Sequence, residues 1–408
     1  MSFADPMSVQ APTPKTQVNV PPHPVAGVRD PRLDFFRGIA MFIILVAHVP
    51  GNWLTLWIPA RFGFSDATET FVFCSGMASA IAFGRVFREQ GMGMGSARVA
   101  YRVWQVYWAH IGLFIAIAAT MVVLNTMFPD GRDYVGQLNL YPFFKNPQPQ
   151  LVGLLTLTYV PNYFDILPMY LVILAMMPAM IWLARIHVGL MILASITVWL
   201  AANVGDINFP AEPWSERQWF FNPLGWQLVF FTGFALMAGL IPAPPVDKRL
   251  FWTAVAIILL TIPFAYFRVY NEFPVFKEWR SEYRFLITKS DFGILRYVHF
   301  LATAYVAWVL VGPKGSRILP PDGNGLVARV WGALLAAIMK VGQQSLAIFI
   351  SSMFLARLLG VAFDQIGKSH LTMTLVNLGG FALIIAIAYG VAWFKSQPWR
   401  AKRKTGAN

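Results

Sequence analysis

Leu33-Asp34-Phe35-Phe36-Arg37-Gly38-Ile39-Ala40-Met41-Phe42-Ile43-Ile44-Leu45-Val46-Ala47-His48 is the stretch that decides how this chain is read. No charged residue lies between Arg37 and His48. A run of this kind forms a helix for an apolar surrounding. At ~100° per residue, both side chains fall on one helix face, within about 20° of each other. The helical rise sets them about 16 Å apart, half the depth of a bilayer core. One stripe thus carries a charge at the edge of an apolar layer and a proton-transfer group near its middle. That arrangement suits a substrate that enters from one side and is worked on toward the other.

Similar stretches recur along the 408 residues. The chain is 57% hydrophobic and 12% charged, with mean hydropathy +0.55. A soluble protein would carry about a quarter charged residues. We read an all-α, polytopic membrane protein with about ten transmembrane helices. They are expected over 33–55, 66–84, 99–125, 164–185, 188–204, 223–241, 250–270, 291–311, 331–362 and 371–394. The ninth is overlong and is expected to begin as a short interfacial piece and break near Gly342. Residues 1–28 read as a disordered Pro-rich tail, 29–396 as the membrane domain and 397–408 as a basic tail.

Basic residues gather in alternate connections: Arg85, Arg88, Arg98 and Arg102, then Arg185, then Lys248 and Arg249, then Lys314 and Arg317. The positive-inside rule then puts both termini in the cytoplasm. It also accounts for the net charge of +13 without nucleic acid. The connection 271–289 mixes both signs with aromatics and is expected to be an amphipathic helix on the outer surface. A single cysteine, Cys74, excludes a disulfide framework and a cysteine-cluster metal site. No HExxH, P-loop or GxSxG motif supports metal hydrolysis or nucleotide hydrolysis.

Three groups of residues carry candidate chemistry. His48 lies past the middle of the first helix, and the second opens with Asp66-Ala67-Thr68-Glu69. Asp66 or Glu69 is expected beside His48, fixing its tautomer and raising its basicity for removing a proton from a hydroxyl. The alternative makes His48 a structural histidine and the two acids helix caps. Arg37, with Arg85, Arg88, Arg98 and Arg102, is expected to clamp a polyanion such as the phosphates of coenzyme A. The bland alternative is a topology signal alone. The third group lies in Asn162-Tyr163-Phe164-Asp165-Ile166-Leu167-Pro168-Met169-Tyr170 and Trp219-Phe220-Phe221-Asn222-Pro223-Leu224-Gly225-Trp226-Gln227. Asp165, Tyr170, Asn222, Trp226 and Gln227 combine aromatic faces with hydroxyl-binding groups, so a glycan is expected here. The alternative is an interfacial aromatic belt with helix caps. Arg296 and His299, one turn apart, are expected to line one cavity.

Leu33-Asp34-Phe35-Phe36-Arg37-Gly38 followed by His48, and then Phe71-Val72-Phe73-Cys74-Ser75-Gly76, resembles the opening of the acyltransferase-3 superfamily. Asp165 to Tyr170, Phe221 to Gln227 and Gly342-Gln343-Gln344-Ser345-Leu346 resemble its OpgC branch. These motifs span residues 33 to about 346, and the long Pro-rich leader departs from the family's usual short start. The resemblance implies a multi-pass enzyme of the bacterial inner membrane. Such proteins attach succinyl groups from cytoplasmic succinyl-CoA to hydroxyls of osmoregulated periplasmic glucans. By resemblance, Arg37 and His48 stand at the family's essential basic residue and histidine. No permanently bound cofactor is implied, since coenzyme A belongs to the donor substrate. The alternatives are an O-acetyltransferase of another surface glycan and, from a different class, a glycan transporter without chemistry. Among Arg61, Arg284 and Arg296, the sequence does not choose a partner for the distal succinyl carboxylate. Direct transfer against an acyl-histidine intermediate, and monomer against homo-oligomer, stay open.

Overall fold

The computed structural model describes residues 30–323 and 325–400. The tail expected over 1–28, and residues 401–408 of the basic tail, lie outside them. Helix α1 (Pro31–His48) begins as its chemistry dictates. The Asp30 carboxylate caps it by accepting the Arg32 N–H at 3.0 Å, and Pro31 supplies a preset φ at the first position. It stops at His48, short of the expected residue 55, because Val49 precedes Pro50 and is held extended.

Helix α2 (Ala67–Met127) joins the second and third expected segments into 61 residues. The arginine-rich stretch between them contains no proline and several good helix formers, so it stays helical rather than forming a loop. At Gly91 the backbone takes φ +82°, a conformation open to glycine, and the chain turns. Gly95 then lies against the Phe87 ring, eight residues back, which a straight helix would hold about 12 Å away. Helix α2 is therefore a hairpin of two arms.

Two short helices, α3 (Tyr141–Lys145) and α4 (Pro147–Thr156), lead to α5 (Ile166–Ile186), α6 (Val188–Asn203), α7 (Pro223–Met237) and α8 (Lys248–Ala265). The expected amphipathic helix is broken into α9 (Phe267–Glu272), α10 (Pro274–Glu282) and α11 (Arg284–Ile287). Pro274 cannot donate the N–H that would continue α9. Helix α12 (Ile294–Leu310) follows. The overlong ninth segment resolves into α13 (Leu326–Gln343) and α14 (Ser345–Ile366), meeting at Gln344. The first piece is a full 18 residues rather than a short one. Helix α15 (His370–Ser396) closes the fold.

Six helices (α2, α5, α8, α13, α14 and α15) are long and apolar enough to cross a membrane, and α6, α7 and α12 are apolar but shorter. That is the make-up of a multi-pass membrane protein, and no strand occurs among the described residues. One buried apolar cluster runs from Ala40 to Ala388. Close backbone approach seats its parts. Gly76 meets the Phe230 carbonyl and Gly233 the Phe73 carbonyl, which locks α2 on α7. In the same way Gly38 and Gly342 bring α1 onto α13. Helix α1 packs against α2, α13 and α14, so both ends of the Arg37–His48 stripe lie inside the bundle.

Candidate active site

A cavity of about 310 Å³ opens beside the first half of α1. Arg37 lines it from α1; Ser75 and Ser79 come from one arm of α2, and Arg98 and Arg102 from the other. Tyr170 of α5 and Ser345 of α14 complete the polar lining. The Arg37 guanidinium donates to the Ser345 hydroxyl, and Arg102 donates to Gln105 at 3.1 Å. Exposed Arg98 and Tyr101 mark the mouth, while buried Phe71 and Val72 mark the far wall. Along α2 the lining runs from Phe83 to Phe71, a depth of about 18 Å at 1.5 Å per residue. Apolar walls with guanidinium groups at the mouth fit a long ligand that is anionic at one end.

The arginines expected to act together divide here. Arg37, Arg98 and Arg102 share the cavity. Arg85 and Arg88 do not line it; both are exposed, and Arg85 pairs with Glu89 at 2.9 Å, one helical turn on. Helix periodicity separates them, because the segment expected to be a loop is helical and turns these two residues away.

His48 stands at the other end of α1. Its Nδ1 lies 2.7 Å from the Ile44 carbonyl, one turn back. A carbonyl only accepts, so Nδ1 carries the proton and the neutral ring keeps a lone pair on Nε2. The ring is partly exposed and meets Tyr163 edge-on at 5.5 Å. Tyr163 itself has φ +87°, an uncommon backbone for a non-glycine residue, and anchors its hydroxyl on the Met353 carbonyl at 2.7 Å.

The two acids expected to orient His48 are held by other groups. Asp66 caps α2, accepting the Thr68 N–H at 2.6 Å, and Glu69 returns the bond by accepting the Asp66 N–H at 2.8 Å. Lys289 then donates to Asp66 at 2.6 Å, and Arg296 to Glu69 at 2.7 Å. Burial alone would raise the Asp66 carboxyl, but Lys289 and Arg296 outweigh it and hold it well below the usual carboxylate range. Asp66 remains within electrostatic reach of the imidazole, together with Lys289 and Arg357. The backbone of α1, rather than a carboxylate, fixes the tautomer.

The expected glycan group is mostly framework. Asn222 is fully buried, caps α7 through Leu224 N–H, and donates to the Ile207 carbonyl and to Asp291. Gln227 is fully buried and satisfied by Ser195 and the Leu224 carbonyl. Trp226 is fully buried and donates to the Lys289 carbonyl at 2.9 Å. Asp165 is buried, accepts the Phe220 N–H at 3.1 Å, and burial pushes its carboxyl up to about 6. None of these four side chains is open to a sugar. Helices sort them inward because each satisfies a loop or helix end that has no other partner. Tyr170 lies in the cavity with Arg37 instead of on a surface patch. Arg296 and His299 part company as well. His299 turns to Ser65, whose hydroxyl lies 2.7 Å from Nδ1, and neither residue lines the cavity.

Three residues that shape the His48 end escaped the sequence reading. Lys289 is held in place by the segment around it: Trp226 and Asn222 bind the backbone of Lys289 and Ser290, and Asn203 binds that of Asp291. Tyr163 stands among other aromatics in the motif that opens α5, so nothing local singles it out. Arg357 is a lone arginine inside the apolar run of α14, which is itself the signal for function within a membrane segment. No group of three or more metal-binding side chains occurs among the described residues.

A family model described as OpgC protein matches residues 29–396, which is nearly everything described above. No curated protein and no solved structure matches the chain. The match covers the cavity, the His48 end and the helices that join them, and on that extent the chain belongs to the OpgC family.

Proposed function

We propose that this protein transfers a succinyl group from cytoplasmic succinyl-CoA to hydroxyls of osmoregulated periplasmic glucans, across the bacterial inner membrane. Membership of the OpgC family supports a membrane acyltransferase that modifies glucan. The distribution of basic residues supports placing the Arg37 end on the cytoplasmic side. Coenzyme A phosphates would bind Arg98 and Arg102 at the mouth, with Arg37 further in, and the acyl-bearing arm would lie along the apolar wall. His48 Nε2 takes the proton from a glucan hydroxyl as its oxygen attacks the thioester carbonyl. The tetrahedral intermediate collapses, the C–S bond breaks, and the proton passes from His48 to the leaving thiolate. Products are a glucan ester and free coenzyme A.

The observation that carries this reading is the imidazole itself. Its proton is fixed on Nδ1 by Ile44, and its Nε2 is left as an acceptor on the helix that also places Arg37 in the cavity. A glycan transporter needs no such base. Purified protein given succinyl-CoA and glucan tests it through release of free coenzyme A. Wild type should release it only with glucan present, and His48→Gln should not. Equal release from both would overturn the mechanism, and glucan flux without acyl transfer would favour a transporter.

A further inference from the structure

A buried cation lies one aromatic ring away from His48, and the acid within its electrostatic reach, Asp364, is ion-paired with Arg132 at 3.2 Å. Arg357 of α14 is 7% exposed. Its Nη2 donates to the Gln137 side-chain oxygen at 2.9 Å, its guanidinium lies over the Tyr163 ring at 5.4 Å, and its Nε has no partner. Tyr163 presents its other contact to His48, ring centre to ring centre at 5.5 Å. The level agrees too. Arg37 bonds Ser345 where α1 and α14 begin to run together. His48 is eleven residues further along α1 and Arg357 twelve further along α14, rises of about 16 and 18 Å.

The other candidate cations, Lys289, Arg296, Arg61 and Arg284, are held elsewhere or exposed. Lys289 has Asp66 and Arg296 has Glu69. Arg61 donates to the Thr55 carbonyl, and Arg284 is exposed. A guanidinium buried in an apolar bundle is costly unless an anion meets it. Gln137 and the Tyr163 face offset part of that cost but carry no charge.

We propose that Arg357 is the specificity residue that receives the distal carboxylate of the transferred dicarboxylic acyl group. This rests on the acyltransferase reading above. Two methylenes set that carboxylate about 4 Å from the acyl carbon, and a hydrogen bond at each end extends the reach across the Tyr163 ring, whose centre is 5.5 Å from His48 and 5.4 Å from Arg357. The carboxylate takes the vacant Nε–H and a second N–H of the fork, as planar guanidinium does with carboxylates elsewhere. Gln137 positions the guanidinium, and Tyr163 supports it from one face. The selectivity arises because a neutral acyl chain leaves Arg357 unneutralised, whereas a monoanionic one completes an ion pair.

The test uses full-length protein in detergent and compares thermal stabilisation by succinyl-CoA with that by butyryl-CoA, its uncharged four-carbon counterpart. Wild type should bind succinyl-CoA at least tenfold more tightly. Arg357→Gln should lose that preference while binding butyryl-CoA as before, and Arg357→Lys should recover part of it. Equal binding of the two donors by wild type would overturn the proposal, as would a preference that survives in Arg357→Gln. A fall for both donors in Arg357→Gln would make the residue structural only. Coenzyme A release in the presence of glucan is measured in parallel. Its absence in wild type would sink the transferase reading, whereas the binding comparison still decides the carboxylate site.

Discussion

At the Arg37 end of α1, three arginines line a cavity whose mouth is exposed at Arg98. At the His48 end, lysine and arginine side chains meet acids already buried against them. The same residue types thus serve two purposes. Arg98 is exposed and Arg102 partly so, and their charges cost little because they stay solvated. Charges on Glu69 and Arg296 are 0% and 13% exposed, and each is tolerable only through the other. The first group lines a cavity that opens at the surface, and the second holds buried elements together. Arg357 is the exception that joins the two patterns, buried like framework while its neighbouring acid, Asp364, pairs with Arg132 instead.

The sharpest way to break this contrast is at the ring that does neither. His48→Ala should lower turnover by about 10²- to 10⁴-fold, the usual worth of a positioned base, with the melting midpoint unchanged. Stopped turnover together with lost folding would instead make His48 framework. Next in size, Glu69→Ala strands Arg296 and removes half of the reciprocal cap on α2. It should destabilise the protein by about 3–5 kcal/mol, read from denaturant unfolding in detergent. A loss below 1 kcal/mol would show that the buried pair is not the framework described.

Smaller effects belong to the open end. Arg98→Gln with Arg102→Gln should raise KM for the acyl-CoA about tenfold, leave kcat unchanged and flatten its salt dependence. A kcat fall with KM constant would move these arginines from donor binding to the chemical step. Arg85→Gln sets the floor. Its Glu89 pair is exposed, so stability should shift by no more than about 0.5 kcal/mol and donor KM should not move.

What the sequence reveals of this molecule is what short range decides. The Arg37–His48 stripe, the Asp66–Glu69 capping box and the apolar helices follow from spacing of a few residues, and the structure keeps them. The partners of the acids do not, since Lys289 is 223 residues from Asp66 and Arg296 is 227 from Glu69. Nothing local says which cation reaches which carboxylate. Exposure is equally hidden. Asn222, Trp226 and Gln227 have the composition of a sugar site, yet each is turned inward to hold the chain around Lys289 or the start of α7. Gly91 shows a third limit. Among several neighbouring glycines it reads as loop, whereas a single left-handed residue turns two helical arms without one. Arg357 was visible as a charge in an apolar run; its meaning depends on Tyr163, 194 positions earlier in the chain, lying between it and His48.

The central claim is a division of labour along α1, with the donor bound at the Arg37 end and the acceptor activated at the His48 end. Proteoliposomes holding the protein in one orientation test it directly, with succinyl-CoA supplied on one face and glucan on the other. Succinylated glucan is expected only when the donor is on the face where Arg98 opens and the glucan is on the opposite face. Transfer that requires both substrates on the same face would contradict it.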